Sequence, residues 1–220
     1  MEKLIDEIIG LEWCFFDSVR NEGGRAPCQD DWKTFRIMRG SQFMAWNRPL
    51  LESWHGDLLQ ARERGDNPMT EKYGYMMCIA DPEANLELAA SLPPVSEEKK
   101  ALSRKIIGRL VPQNAAFRRR YPLLAAHARP LRTADEIGGD MTSMETYQLG
   151  ELWTYSRRTL TLLDEHLRDL EAAGINYPEL VIRNSLLQRG FSGLEEAEAF
   201  LAKRQRGVYI SFFDRHRIKD

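Results

Sequence analysis

Hydrophobic side chains recur along most of this chain at intervals of three and four residues, which is the spacing of one face of an α-helix. Only one window, VYISFF at 208–213, has the character of a strand, and a single isolated strand is not stable. The pattern therefore predicts an all-α, single-domain multi-helix bundle. The predicted helices cover residues 3–21, about 28–46, 49–64, 68–77, 81–92, 96–121, 143–174, 178–188 and 192–206.

Proline and polar stretches interrupt this pattern. Pro112 lies inside the sixth helix, where it removes a backbone hydrogen bond and crowds the carbonyl of Gly108, so we expect a kink or a break there. Residues 122–142 lack a helical period and predict a long irregular connection. Ser143 then caps the seventh segment, whose leucine stripe predicts one long helix ending at Gly174.

The composition is that of an ordinary globular protein, with 43% hydrophobic and 29% charged residues in a chain of 220. We expect one domain over 1–220, with a flexible tail after about 207. No apolar run is long enough to span a bilayer, and the acidic, periodic N-terminal segment does not match a secretory signal. The three cysteines are widely spaced, which favours a reducing cytoplasm.

Charged and amide side chains interrupt the apolar faces of the first two helices. Glu12 lies within the hydrophobic stripe of the first helix, and Arg39 and Gln42 lie among the aromatic residues of the second. Because a short loop joins these helices, they should pack as an antiparallel hairpin that brings Glu12 toward Arg39 and Gln42. Two interpretations remain open, a ligand pocket and a core ion pair with a purely structural role.

Further candidates lie in the loop between these helices, NEGGRAPCQDDW, and on the seventh helix. Arg25 is a candidate ligand-binding residue, and Asp31 and Glu145 are candidate acids or bases. Cys28 is a candidate nucleophile near a helix N-terminus, although Asp30 and Asp31 disfavour its thiolate, and a buried or capping role is the alternative. Glu145 belongs to a polar opening turn that either completes a pocket or is a solvated helix end.

Several segments together resemble a bacterial family of domains of unknown function. The main one is NEGGRAPCQDDWKTFRIMRGSQFMAW, and the others are MTEKY at 69–73, RPLR at 129–132, METYQLGELWTYS at 144–156 and FSGLEEAE at 191–198. The resemblance covers nearly the whole chain and implies one intact domain. It implies no activity, because the family has none assigned.

Charge is distributed unevenly along the chain. Residues 99–132, which we call the basic segment, contain ten lysines and arginines and no acid, whereas residues 52–98, the acidic segment, contain ten acids and three lysines and arginines. We expect the two segments to face each other. The alternative is a basic surface that docks RNA or an acidic protein, although the chain has no nucleic-acid motif.

No metal or cofactor is predicted. Glu52 and His55 match one ExxH motif, but a di-iron bundle needs a second, and the chain has no zinc pattern and no phosphate loop. The favoured hypothesis is a cytoplasmic enzyme or enzyme-like protein that binds a small polar, anionic metabolite between the first two helices and the long helix. Its candidate binding residues are Glu12, Arg25, Arg39 and Gln42, and its candidate catalytic residues are Asp31, Glu145 and Cys28.

Overall fold

The computed structural model describes residues 1–21, 23–126, 128–136 and 141–205. Within these ranges the chain forms ten α-helices and two short 3-10 helices, and no strand. The predicted all-α class is therefore confirmed. The predicted tail and the window at 208–213 lie outside the described residues. The described parts of the connection at 122–142 contain turns and one 3-10 helix.

Most helices begin at a side chain that accepts a backbone hydrogen bond from the first turn, which is why their starts follow from local sequence. These capping residues are Asp31, Asn47, Asn67, Ser96, Ser143, Ser156 and Asn176. The helices are α1 (Glu2–Asp17), α2 (Trp32–Phe43), α3 (Arg48–Arg64), α4 (Pro68–Ala80), α5 (Leu86–Ser91), α6 (Glu97–Arg120), α7 (Met144–Leu152), α8 (Arg157–Ala172), α9 (Tyr177–Gln188) and α10 (Leu194–Gln205). The 3-10 helices are Pro27–Asp30 and Thr133–Asp135.

The helices pack around one main hydrophobic core. On one side, α1 contacts α2, α3 and α4, and on the other, α6 contacts α7, α8 and α9. The contacts of α4 with α7, of α2 with α9 and of α3 with α8 join the two sides. A second, smaller core lies where α6, α9 and α10 meet, and consists of Phe117, Tyr121, Leu186, Phe191, Leu194 and Ala197.

The prediction of one long helix over 143–174 is wrong, because the chain turns between α7 and α8. Ser156 starts α8, and its side chain accepts the backbone N–H of Thr159. The N–H of Ser156 itself donates to Asp57 of α3 at 2.9 Å instead of to a carbonyl four residues earlier. A partner distant in sequence thus ends the first helix, while the apolar period continues because both helices face the core.

Three smaller predictions also need correction. α6 continues through Pro112 without a break, and buried residues lie on both sides of the proline; the expected kink stays a prediction. Residues 81–85 form turns rather than helix, with the side chain of Asn85 donating to the carbonyls of Met77 and Asp81. The second helix begins at Trp32, after a 3-10 turn.

Candidate functional site

Four charged side chains meet where α1, α2, α4 and α7 pack together. They are Glu12, Arg39, Lys72 and Glu151, which we call the buried network. Glu12, Lys72 and Glu151 are buried, and the side chain of Arg39 is 11% exposed. Two acids and two bases give the network no net charge, which is the condition for holding ions away from water.

Glu12 and Arg39 form a fork-shaped ion pair. Nε of Arg39 donates to one carboxylate oxygen of Glu12 and Nη2 donates to the other, both at 2.6 Å. The indole N–H of Trp54 on α3 donates to the same carboxylate at 2.9 Å. The hairpin contact predicted from the sequence is therefore present, and the carboxylate of Glu12 has partners for both oxygens.

Glu151 on α7 links this pair to the rest of the network. One of its oxygens accepts from Nη1 of Arg39 at 3.0 Å and from the hydroxyl of Tyr155 at 2.7 Å. The other accepts from Nζ of Lys72 at 2.6 Å. Gln42 accepts a hydrogen bond from Nη1 of Arg39 at 3.0 Å. Each predicted member of the α1–α2 cluster is thus tied to α7.

Charge compensation keeps Glu151 and Lys72 ionised. Burial by itself would raise the pKa of Glu151, but the positive charges of Arg39 and Lys72 outweigh it and hold that pKa well below its usual range. Burial would lower the pKa of Lys72, and the charge of Glu151 instead raises it. Burial and the charge of Glu151 raise the pKa of Tyr155, which therefore stays a hydrogen-bond donor near neutral pH.

A cavity of about 200 Å³ lies beside the network, between α2, α6, α7, α8 and α9. Gln42, Glu151 and Tyr155 of the region just described form part of its wall, so one end of the cavity is polar. Most of the remaining wall is apolar, which is usual for sites that bind small molecules. The apolar lining residues are Leu110, Leu152, Leu163, Pro178, Val181 and Ile182.

One polar atom in the lining lacks a partner. The side-chain oxygen Oε1 of Gln148 is buried and accepts no hydrogen bond from the described part of the chain. An unpaired buried acceptor costs roughly 1–3 kcal/mol. A donor group on a bound molecule would remove that cost, so this atom is the feature of the cavity that points most directly to a ligand.

Comparison with known proteins assigns the chain to a family. The family described as "Protein of unknown function (DUF4125)" matches residues 2–199. The chain belongs to the DUF4125 family. No curated protein and no solved structure matches it. The match confirms the resemblance to a family of unknown function, and it includes every residue of the buried network and of the cavity.

In this DUF4125 chain, two of the predicted loop residues are exposed and stay outside the network. Arg25 forms ion pairs with Asp17 at 2.5 Å and Asp30 at 2.9 Å, and so holds the loop against the end of α1. Asp31 caps α2 by accepting the backbone N–H of Thr34, and hydrogen bonding from Thr34 lowers the pKa of Asp31. Neither residue lines the cavity. Their predicted binding and catalytic roles stay predictions.

The other two predicted catalytic residues are also away from the cavity lining. Cys28 is an exposed free thiol in the first 3-10 helix. Glu145 accepts the backbone N–H of Thr133 at 3.0 Å and ties the 3-10 turn at 133–135 to α7. The structure does not bring either residue together with Glu12 and Arg39, and their predicted catalytic roles stay predictions.

Sequence reasoning missed Lys72, Trp54 and Gln148, and it did not single out Glu151 or Tyr155 from the polar opening turn of the seventh predicted helix. Lys72 lies on a face of α4 with the buried residues Met69 and Met76, so the argument that selected Glu12 would have selected it too. Trp54 and Gln148 carried no such signal. An indole N–H or an amide is noteworthy only when its surroundings are known.

In the described chain, the expected contact between the basic and acidic segments is confined to the start of α6. There Lys99 shares a cleft with Asp57 and Glu71, and Lys100 pairs with Glu97 at 2.9 Å. Lys105 and Arg109 of α6 both pair with Asp164 of α8, at 2.8 and 3.1 Å. Arg120 pairs with Glu179 of α9 at 3.5 Å. These three residues of the basic segment therefore face α8 and α9, which provide the acids that the acidic segment was expected to supply.

In the ranges that the structure describes, no three histidine, cysteine or acidic side chains are grouped so as to hold a metal ion. The predictions of no metal and no cofactor stay predictions. No described helix combines the length and apolar character needed to cross a bilayer.

Proposed function

We propose that this protein binds a small, mostly apolar molecule in the cavity beside the buried network. The single observation that carries the proposal is the buried, unpartnered oxygen of Gln148 in a largely apolar lining. A ligand with one N–H or O–H group would bond to this oxygen and cover the apolar wall with its remaining surface. The proposal is one of binding, and it assigns no reaction.

The charges around the cavity favour a neutral ligand. Glu151, the one charged residue in the described lining, is already compensated by Arg39 and Lys72. An anionic ligand would need a positively charged side chain beside it, and the described lining contains no lysine or arginine. The sequence-based expectation of a polar, anionic metabolite stays a prediction, and the lining supports a less polar molecule.

The volume limits the size of the ligand. An engineered apolar cavity of roughly 150 Å³ accommodates benzene. A cavity of about 200 Å³ accordingly suits a molecule with one ring or a short aliphatic chain.

We place this binding in the cytoplasm, because all three cysteines are free thiols.

The alternative, docking of RNA or an acidic protein by the basic segment, has less support. Lys105, Arg109 and Arg120 already form ion pairs with α8 and α9. A phosphate backbone would have to compete with these pairs. Binding that weakens steeply as salt rises would favour this alternative over the cavity.

The test fills the cavity. Val181 is half-buried in the lining, so Val181→Phe should occupy the cavity while the protein stays folded. Purified wild type is denatured and extracted for mass spectrometry, and its melting temperature is measured with neutral and anionic small molecules. We expect a neutral compound to copurify with wild type or to raise its melting temperature, and Val181→Phe to abolish this effect.

Two further variants make the test specific. Val95→Phe adds the same ring at a half-buried position outside the cavity and should leave ligand binding unchanged. Gln148→Leu removes the unpaired acceptor, so it should lower the affinity for the ligand without lowering the melting temperature of the free protein. Equal ligand binding by wild type and Val181→Phe, or no ligand in any sample, would contradict the proposal.

A further inference from the structure

A second concave site lies on the other side of the turn between α7 and α8. This cleft has a volume of about 380 Å³, within the range of roughly 300–1,000 Å³ typical of ligand sites. It is bounded by α3, α4, the start of α6 and the residues of the turn itself. Its aromatic walls are formed by Trp54, Tyr75, Trp153 and Tyr155.

Two residues in the lining of the cleft, Lys99 and Trp153, carry nitrogen donors. Nζ of Lys99 donates to the backbone carbonyl of Trp153 at 2.8 Å, which places this amine beside the tryptophan. The indole N–H of Trp153 is buried and donates to no acceptor in the described chain. Burial lowers the pKa of Lys99, against the charges of Asp57 and Glu71. A bound group with two acceptor oxygens would serve both donors.

A carboxylate lies near these donors without pairing with them. Glu71 is half-buried, and within the described ranges its side chain accepts no hydrogen bond and forms no ion pair. Burial and the nearby Asp66 raise its pKa. The other two acids of the cleft are already engaged, Asp66 with Arg64 and Asp57 with the N–H of Ser156.

We propose that this cleft binds a free α-amino acid. Its carboxylate accepts hydrogen bonds from Lys99 and from the indole N–H of Trp153, and its ammonium group pairs with Glu71. An apolar or aromatic side chain then packs on the aromatic walls of the cleft. The arrangement explains why a partly buried amine and a partly buried carboxylate share one cleft without forming an ion pair, since a zwitterion compensates both.

The first experiment uses L-phenylalanine and two analogues that each lack one charge, 3-phenylpropionate and phenethylamine. Binding to the full chain is measured by isothermal titration calorimetry at concentrations up to about 10 mM, where even millimolar affinity is detectable. We expect L-phenylalanine, or another apolar amino acid, to bind at least about tenfold more tightly than the matching analogues. The proposal would be overturned if neither L-phenylalanine nor another apolar amino acid bound. It would also be overturned if the analogues bound as tightly as the amino acid.

The second experiment uses matched variants. Trp153→Phe keeps a ring but removes the unpaired N–H. It should lower the affinity for L-phenylalanine by about tenfold without lowering the melting temperature of the free protein. Glu71→Gln should lower the affinity for L-phenylalanine and leave the affinity for 3-phenylpropionate unchanged, because only L-phenylalanine carries an ammonium group.

The controls are exposed residues outside the cleft. Trp32→Phe and Glu87→Gln make the same chemical changes elsewhere and should leave binding unchanged. Binding that survives both Trp153→Phe and Glu71→Gln would place the amino acid elsewhere and overturn the proposal. Val181→Phe should bind L-phenylalanine as wild type does, which separates this site from the cavity beside the buried network.

Discussion

At the scale of single residues, the buried network depends on charge balance. Glu12 has no exposed side-chain surface, and Arg39, Lys72 and Glu151 are nearly as enclosed. Losing one member leaves a net charge where water cannot compensate it. Removing one partner of a buried pair typically costs about 3–5 kcal/mol, far more than breaking an exposed pair.

We expect Glu12→Gln and Arg39→Met each to lower the free energy of unfolding by about 3 kcal/mol or more. The first leaves the network at +1 and the second at −1. The double variant restores neutrality, so its loss should be smaller than the sum of the two single losses. Urea denaturation of the four proteins measures these quantities.

The control for this cycle is an exposed pair of the same type. Arg48 and Glu52 pair at 2.7 Å on α3, with side chains 73% and 52% exposed. Glu52→Gln should change stability by less than about 1 kcal/mol. A Glu12→Gln variant as stable as Glu52→Gln would show that water reaches the network, contrary to its burial.

At the scale of elements, the site depends on the close approach of α4 and α7. A Cβ atom on Gly150 would lie 2.5 Å from Cγ of Met76 and 2.9 Å from the backbone oxygen of Lys72. Only a residue without a side chain permits this contact. The approach also places Glu151, the next residue, within 2.6 Å of the amine of Lys72.

Gly150→Ala should therefore push α7 away from α4 and destabilise the protein by about 1–3 kcal/mol. Gly56→Ala on α3 is the matched control, because a Cβ there meets no atom within 4 Å. Alanine at that helical position should be neutral or stabilising by roughly 0.5–1 kcal/mol. Thermal denaturation distinguishes the two, and equal effects would argue against the close contact.

At the scale of the whole molecule, packing between α6 and α8 makes stability depend on pH. Burial would raise the pKa of Asp164, but hydrogen bonds from Lys105 and Arg109 and their charges hold it below its usual value of 3.8. Between the lowered pKa of the folded state and the usual pKa of 3.8, the folded state thus binds fewer protons than the unfolded chain. Stability that is present above pH 3.8 is lost as the pH falls through the folded pKa.

We expect the urea midpoint of wild type to fall between about pH 5 and pH 2, and to fall less steeply in Asp164→Asn. Circular dichroism at each pH provides the measurement. Glu87→Gln, which removes an exposed carboxyl from α5, controls for the loss of one acid. Identical pH profiles for wild type and Asp164→Asn would refute the role assigned to this carboxyl.

The sequence by itself determined the helical class and most helix starts, because both depend on interactions within a few residues. Caps such as Ser96 and Asn67 bond to N–H groups two or three positions later. The contact of Glu12 with Arg39 was also predictable, since a short loop joins two helices whose apolar faces are read directly from the chain.

Tertiary structure alone decided where the seventh predicted helix ends and what surrounds the ion pair. The turn before α8 is held by Asp57, whose carboxylate accepts the N–H of Ser156 from 99 positions away. Lys72 reaches Glu151 across 79 positions, and Trp54 reaches Glu12 across 42. The cavity and the cleft likewise exist only between packed helices. Local periodicity records which face of a helix is buried, but it does not record which neighbour buries it.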